Sequence, residues 1–86
     1  MYKIVFGKSL IKDFKSIPKL FLSKIESAIG KLAEVPIPKQ AKRLQGYKNH
    51  YRLRLGMYRI IYHIDKKIEI ISILKVDHRK EVYRSF

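Results

Sequence analysis

The stretch Tyr51-Arg52-Leu53-Arg54-Leu55-Gly56-Met57-Tyr58-Arg59-Ile60-Ile61-Tyr62-His63-Ile64 decides how the chain folds. Tyr51, Leu53 and Leu55 alternate with Arg52 and Arg54, and Tyr58, Ile60, Tyr62 and Ile64 alternate with Met57, Arg59, Ile61 and His63. Side chains of an extended chain point to opposite faces in turn, so each run reads as a strand with one apolar face and one face that carries arginine. A tight turn at Gly56-Met57 makes the pair an antiparallel hairpin. A second turn, at Asp65-Lys66-Lys67, leads into Ile68 to Val76. That run shows little alternation, as expected of a strand buried on both faces. Three such strands form a meander.

Upstream, residues 39–50 are polar, include Gly46, and read as a connecting loop. Before them, Val35-Pro36-Ile37-Pro38 must end a helix, because proline donates no amide hydrogen and restricts the residue preceding it. Phe21, Ile25, Ala28, Ile29 and Leu32 make the apolar stripe of that helix, over 19–34. Leu10, Phe14 and Ile17 predict a shorter helix over 9–16, with Ser9 placed to cap it and Pro18 dividing the two. Tyr2-Lys3-Ile4-Val5-Phe6, closed by Gly7, predicts a first strand. The expected fold class is α+β: an N-terminal strand, a helical hairpin, then an antiparallel meander, about four strands in all, with the helices packed on one face. At 86 residues the chain has room for one domain, 1–86.

Charge narrows the function. Lysine and arginine number 20 against 7 acidic residues, a formal net charge of +13, which attracts polyanions. The excess is not evenly spread. No acidic residue falls between Glu34 and Asp65, while Lys39, Lys42, Arg43, Lys48, Arg52, Arg54 and Arg59 all do. Every arginine lies at or beyond position 43. The planar guanidinium suits bidentate phosphate contacts, so the C-terminal half is the expected anion-reading half, with Lys39, Lys42, Arg43 and Lys48 as RNA-binding residues. No apolar run approaches the ~20 residues of a spanning helix and the N-terminus has no signal-peptide pattern, so a cytoplasmic location is expected. With no cysteine there is no disulfide and no thiolate metal site. The carboxylates Asp65, Glu69, Asp77 and Glu81 do not cluster with histidines at ligand spacing, Asp77 and Glu81 reading as a pair on a helix face. We assign no metal and no cofactor.

If Arg52 and Arg54 share a face, an antiparallel neighbour can add Arg59, and the tail leaving the next strand can bring His78 and Arg79 close. Such a cationic concavity fits cleavage of an RNA backbone. A 2′-hydroxyl attacking the adjacent phosphate needs in-line placement, cations on the developing phosphorane charge, and proton transfer at both oxygens. Plainer readings stand beside this one. Arg52 and Arg54 are also ordinary polar-face residues, His63 an ordinary cross-strand histidine, His50 a loop residue and His78 a solvated tail residue. Tyr83 follows the basic tail, where a phenol stacks on a base.

Taken together, Leu44-Gln45-Gly46, Tyr51-Arg52-Leu53-Arg54-Leu55-Gly56-Met57-Tyr58-Arg59-Ile60-Ile61-Tyr62 and His78-Arg79-Lys80-Glu81-Val82-Tyr83 resemble the RelE branch of the RelE/ParE toxins. The resemblance spans the chain. It implies a microbial-RNase-type fold and a toxin of a type II toxin–antitoxin pair that cleaves mRNA on the ribosome and is neutralised by a cognate acidic antitoxin. By motif position, it implies that Arg52 and Arg54 bind substrate or act in catalysis, that Arg59 stabilises the scissile phosphate, and that His78, Arg79 and Tyr83 supply the acid and base-stacking elements. One position departs from the pattern. Members with lysine where this chain has Arg52 use it as general base, and arginine is not deprotonated in proteins; either Arg52 only stabilises charge and another group is the base, His78 being the obvious substitute, or activity is reduced. The alternatives are a ParE-like toxin that binds DNA gyrase, and a catalytically silent RNA- or antitoxin-binding module. Oligomeric state is left open by the sequence.

Overall fold

The computed structural model describes residues 1–78. Its elements run β1 (Lys3–Phe6), α1 (Leu10–Lys15), α2 (Lys19–Leu32), β2 (Ala41–Arg43), β3 (His50–Leu55), β4 (Tyr58–Asp65) and β5 (Ile70–His78). One five-stranded sheet has the order β1-β5-β4-β3-β2. The meander β3–β4–β5 is antiparallel throughout, and β1 returns to lie parallel to β5, with Ile4 opposite Ile71 and Phe6 opposite Ile73.

The sheet holds five strands rather than about four. The extra one, β2, lies in the segment expected to be loop, where Ala41, Lys42 and Arg43 pair with Leu53, Arg52 and Tyr51. Its three residues give no apolar alternation, and its charges suit an edge strand, since they oppose pairing with a further chain.

The turns follow local chemistry. Gly56, first of the two hairpin residues, takes φ 60°, a conformation that side chains rarely adopt. At the β4–β5 turn the Asp65 carboxylate accepts the amides of Lys67 and Ile68 at 3.0 and 3.3 Å. Ser9 does not act as the expected cap. It sits at φ −69°, ψ −15°, already helical, and its side chain makes no capping hydrogen bond; the amide of Leu10 is held instead by the Gly7 carbonyl at 3.1 Å.

Both helices lie on one face of the sheet. Ile25, Ile29 and Leu32 of α2 and Leu10 of α1 share a core with Leu53, Ile60, Tyr62, Ile64, Ile71, Ile73 and Val76. Phe21, at the start of the stripe, is half-exposed, and its ring lies 5.7 Å from that of Tyr58. The proline segment is tied down by Tyr62, whose hydroxyl donates to the Pro36 carbonyl at 2.7 Å.

One irregularity in β5 matters for everything beyond it. Ile61 pairs with Lys75 but Tyr62 pairs with Ile73, so Leu74 is an extra residue, a bulge. A one-residue slip moves every later side chain to the other face. Ile71, Ile73 and Val76 therefore all reach the core, and Lys75 and Asp77 turn to the opposite face. Asp77 is thus a strand residue, where the sequence suggested a helix-face pair with Glu81, which lies outside the described residues.

Candidate functional site

The face of the sheet away from the helices is organised by the strand register into rows. Arg54 pairs with Arg59 and Arg59 with Asp77. The next row runs Lys42, Arg52, Ile61 and Lys75. A third runs His50, His63 and Ser72. Directly paired residues point to one face, so Arg52, Arg54 and Arg59 share it, with Lys42 beside them.

This face is not uniformly wet. Arg54 is exposed and Arg52 half-buried, whereas Arg59 is 1% exposed and its face-mate Ile61 is 0% exposed. Among the described residues Arg59 is the one buried charged side chain. A cation withdrawn from water acts on an approaching anion through a lower effective dielectric than a surface lysine does. Asp77 moderates the field at the row's end, its carboxylate 3.7 Å from Lys75 Nζ, and Lys75 also faces Asp13 of α1 at 3.9 Å.

The remaining expected site residues divide. His78 pairs with Tyr58, and the two rings meet edge to face at 5.8 Å. Tyr58 belongs to the helix-covered face, so the bulge at Leu74 carries His78 away from the arginines, where unbroken alternation would have brought it to them. Arg79 and Tyr83 lie outside the described residues. Lys42 joins the arginine face, but its neighbour Arg43, opposite Tyr51, faces the other way. Lys39 is exposed just before β2. Lys48 and Arg43 line a shallow concavity of about 770 Å³ formed by residues 43–48.

Over residues 4–83 the chain matches the family model of the ParE toxin of type II toxin–antitoxin systems. The chain belongs to the RelE/ParE toxin superfamily. Within that superfamily its relatives are of the RelE branch. It is 32% identical over 91 residues to the toxin RelE3 of Methanocaldococcus jannaschii, with 98% of each chain covered. Its fold superposes on an archaeal RelE–RelB complex from Pyrococcus horikoshii with a TM-score of 0.81 at 31% identity, covering 91% of this chain and 94% of that one. The isolated E. coli RelE toxin shares the fold at a TM-score of 0.79 and 20% identity, over 99% and 94% of the two chains. The chain is therefore a RelE-type toxin of the type II toxin–antitoxin class.

Two residues that sequence reading left aside lie on the arginine face of this RelE-type sheet. His50 and His63 are directly paired, their rings 4.9 Å apart, and the ring of Tyr47 lies 5.8 Å from His50. The signal is present in the spacing, because His50 lies two and four residues before Arg52 and Arg54, but the apolar alternation begins at Tyr51 and leaves His50 in the loop.

Proposed function

We propose that this RelE-type toxin is an endoribonuclease that cleaves mRNA on the ribosome and is held silent by a cognate antitoxin. The observation that carries the reading is the convergence of Arg52, Arg54 and the buried Arg59 on one sheet face. In the proposed reaction, phosphate oxygens of the scissile linkage lie against Arg59 and Arg52, whose donors stabilise charge that grows as the 2′-oxygen closes on phosphorus. Arg54, exposed at the rim, guides the backbone into place. The route itself calls for no metal ion, because guanidinium groups supply the charge and protons pass through side chains and water. Lys39, Lys42, Arg43 and Lys48 extend the positive surface toward ribosomal RNA, a sequence-independent attraction that weakens with salt.

The antitoxin reading is supported by the RelE–RelB complex to which the chain is similar. It also fits an open, apolar groove of about 860 Å³ between α2 and β3, lined by Leu32, Val35, Pro38, Leu53 and Leu55, where Lys24, Lys31 and Arg54 outnumber Glu34. An acidic amphipathic segment matches that lining in both polarity and sign.

The ParE name of the matching family model keeps the gyrase reading as the competing outcome. A cell-free translation reaction with primer-extension mapping of the mRNA separates the two. Cuts in phase with codons are the expected result. Blocked DNA supercoiling with intact mRNA would mean a gyrase poison, and neither effect would leave a binding module.

A further inference from the structure

We infer that His50 is the general base of the cleavage, with His63 as its positioning residue; this rests on the nuclease reading above. Neither of the obvious groups can serve. Arg52 does not give up its proton, and His78 lies on the face of Tyr58. His50 lies on the arginine face, two residues from Arg52 along β3. Next-but-one residues of a strand are about 6.5–7 Å apart, a spacing that sets an imidazole on a 2′-hydroxyl while the guanidinium holds the oxygens of the adjacent phosphate.

The ring is prepared for the task. His50 Nδ1 lies 2.7 Å from the Lys48 carbonyl oxygen. A carbonyl only accepts, so Nδ1 carries the hydrogen, and in the neutral ring Nε2 keeps the lone pair that takes a proton. The backbone around it is pinned on both sides. The His50 carbonyl accepts from Leu44 N at 2.9 Å, and the carbonyl of Asn49, at φ 59°, accepts from Ile64 N at 3.0 Å. His63 braces the ring from β4. The other titratable or charged groups facing His50 are Tyr47 and Lys48 in the loop, Arg52 on its own strand, Lys42 one row over on β2, and Asp65 beyond His63, the last already bonded to the amides of its turn. On β5 its row continues to Ser72.

In the step itself, the 2′-oxygen bonds to phosphorus as its proton passes to Nε2, and the P–O5′ bond breaks. The departing 5′-oxygen takes a proton from water, and the resulting hydroxide recovers the proton from His50. The products are a 2′,3′-cyclic phosphate and a 5′-hydroxyl, with no net change in protons.

The test is single-turnover cleavage of mRNA on saturating ribosomes, with thermal melts of each variant. Asparagine places an amide where Nδ1 was and keeps the Lys48 bond, so His50→Asn removes the base with least disturbance. It should cleave at least about a hundredfold more slowly, and the limb of the rate–pH profile that falls on acidification should disappear. Added imidazole should restore part of the rate to His50→Ala, which a purely structural loss would not allow. His63→Asn should lose only several-fold and keep the limb. A wild-type rate for His50→Asn, or no imidazole rescue in a folded His50→Ala, would overturn the inference while a slow Arg59→Ala kept the nuclease reading intact. Wild-type protein that cuts nothing would remove both.

Discussion

On the helix-covered face of the sheet, Ile60, Tyr62, Ile71 and Ile73 are each 0% exposed and belong to one aliphatic and aromatic core. On the opposite face of the same strands, Arg59 and Ile61 are as deeply buried, yet their row-mates are Arg54, Arg52, Lys42 and Asp77. One alternation thus yields two kinds of dry surface. The first is dry because apolar groups leave water together, which stabilises the fold at roughly 25 cal/mol per Å². The second is dry around a cation, whose withdrawal from water costs desolvation. Stability therefore belongs to the packed face and, in the function proposed above, chemistry to the arginine face, and substitutions should respect that division.

The harshest way to break the comparison is to put a charge on each face. Ile60→Asp buries an unpaired carboxylate in the core and should abolish the cooperative thermal transition, whereas Arg54→Asp should leave stability within about 0.5 kcal/mol. Equal damage from both, read by circular dichroism melts, would mean the faces are misassigned. A gentler cut is Ile71→Ala, expected to cost about 2–5 kcal/mol in denaturant unfolding with cleavage per folded molecule unchanged.

Much of this division is legible in the amino-acid sequence. The alternation over 51–64 places Arg52, Arg54 and Arg59 on one face because period two leaves no other choice once Leu53 and Ile60 face inward. The helical stripe ending at Leu32 is equally plain. Other features are not local. A three-residue edge strand such as Ala41–Arg43 has no pattern of its own and exists only because β3 offers it a partner. The bulge at Leu74 is invisible in an apolar run, since an aliphatic side chain tolerates either face, and with it the side of the sheet that His78 takes. The apolar setting of Arg59 is legible too, since it stands between Tyr58 and Ile60 with Ile61 and His63 as face-mates, although its 1% exposure is not.

Tyr62 sharpens the packed side. Burial first, and the nearby Tyr51 second, push its phenol well above the ordinary range, so the folded state holds that proton more tightly than the unfolded chain does. Its stabilising share is fully present below the unfolded value of about 10 and is lost as pH rises beyond it. Tyr62→Phe, which deletes the bond to the Pro36 carbonyl, should lower stability by about 1 kcal/mol at neutral pH and flatten the alkaline fall in melting temperature. An alkaline profile identical to that of the unsubstituted protein would contradict this.

The smallest effects belong to the rim. Removing Lys39, Lys42 and Lys48 together should weaken ribosome association and reduce the slope of log K against log salt, by about 0.7–0.9 for each phosphate no longer neutralised, with the bound cleavage rate unchanged. A rate that falls while the salt slope stays put would move those lysines into the reacting centre.

On the arginine face, it is the buried arginine that is expected to act in the chemical step. Single-turnover cleavage on saturating ribosomes, comparing Arg59→Ala with the triple lysine variant, addresses this most directly. Arg59→Ala should slow cleavage by roughly two to three powers of ten with ribosome binding little changed, while the lysine variant, once bound, cleaves at the full rate. Full-rate cleavage by a folded Arg59→Ala protein would contradict that role.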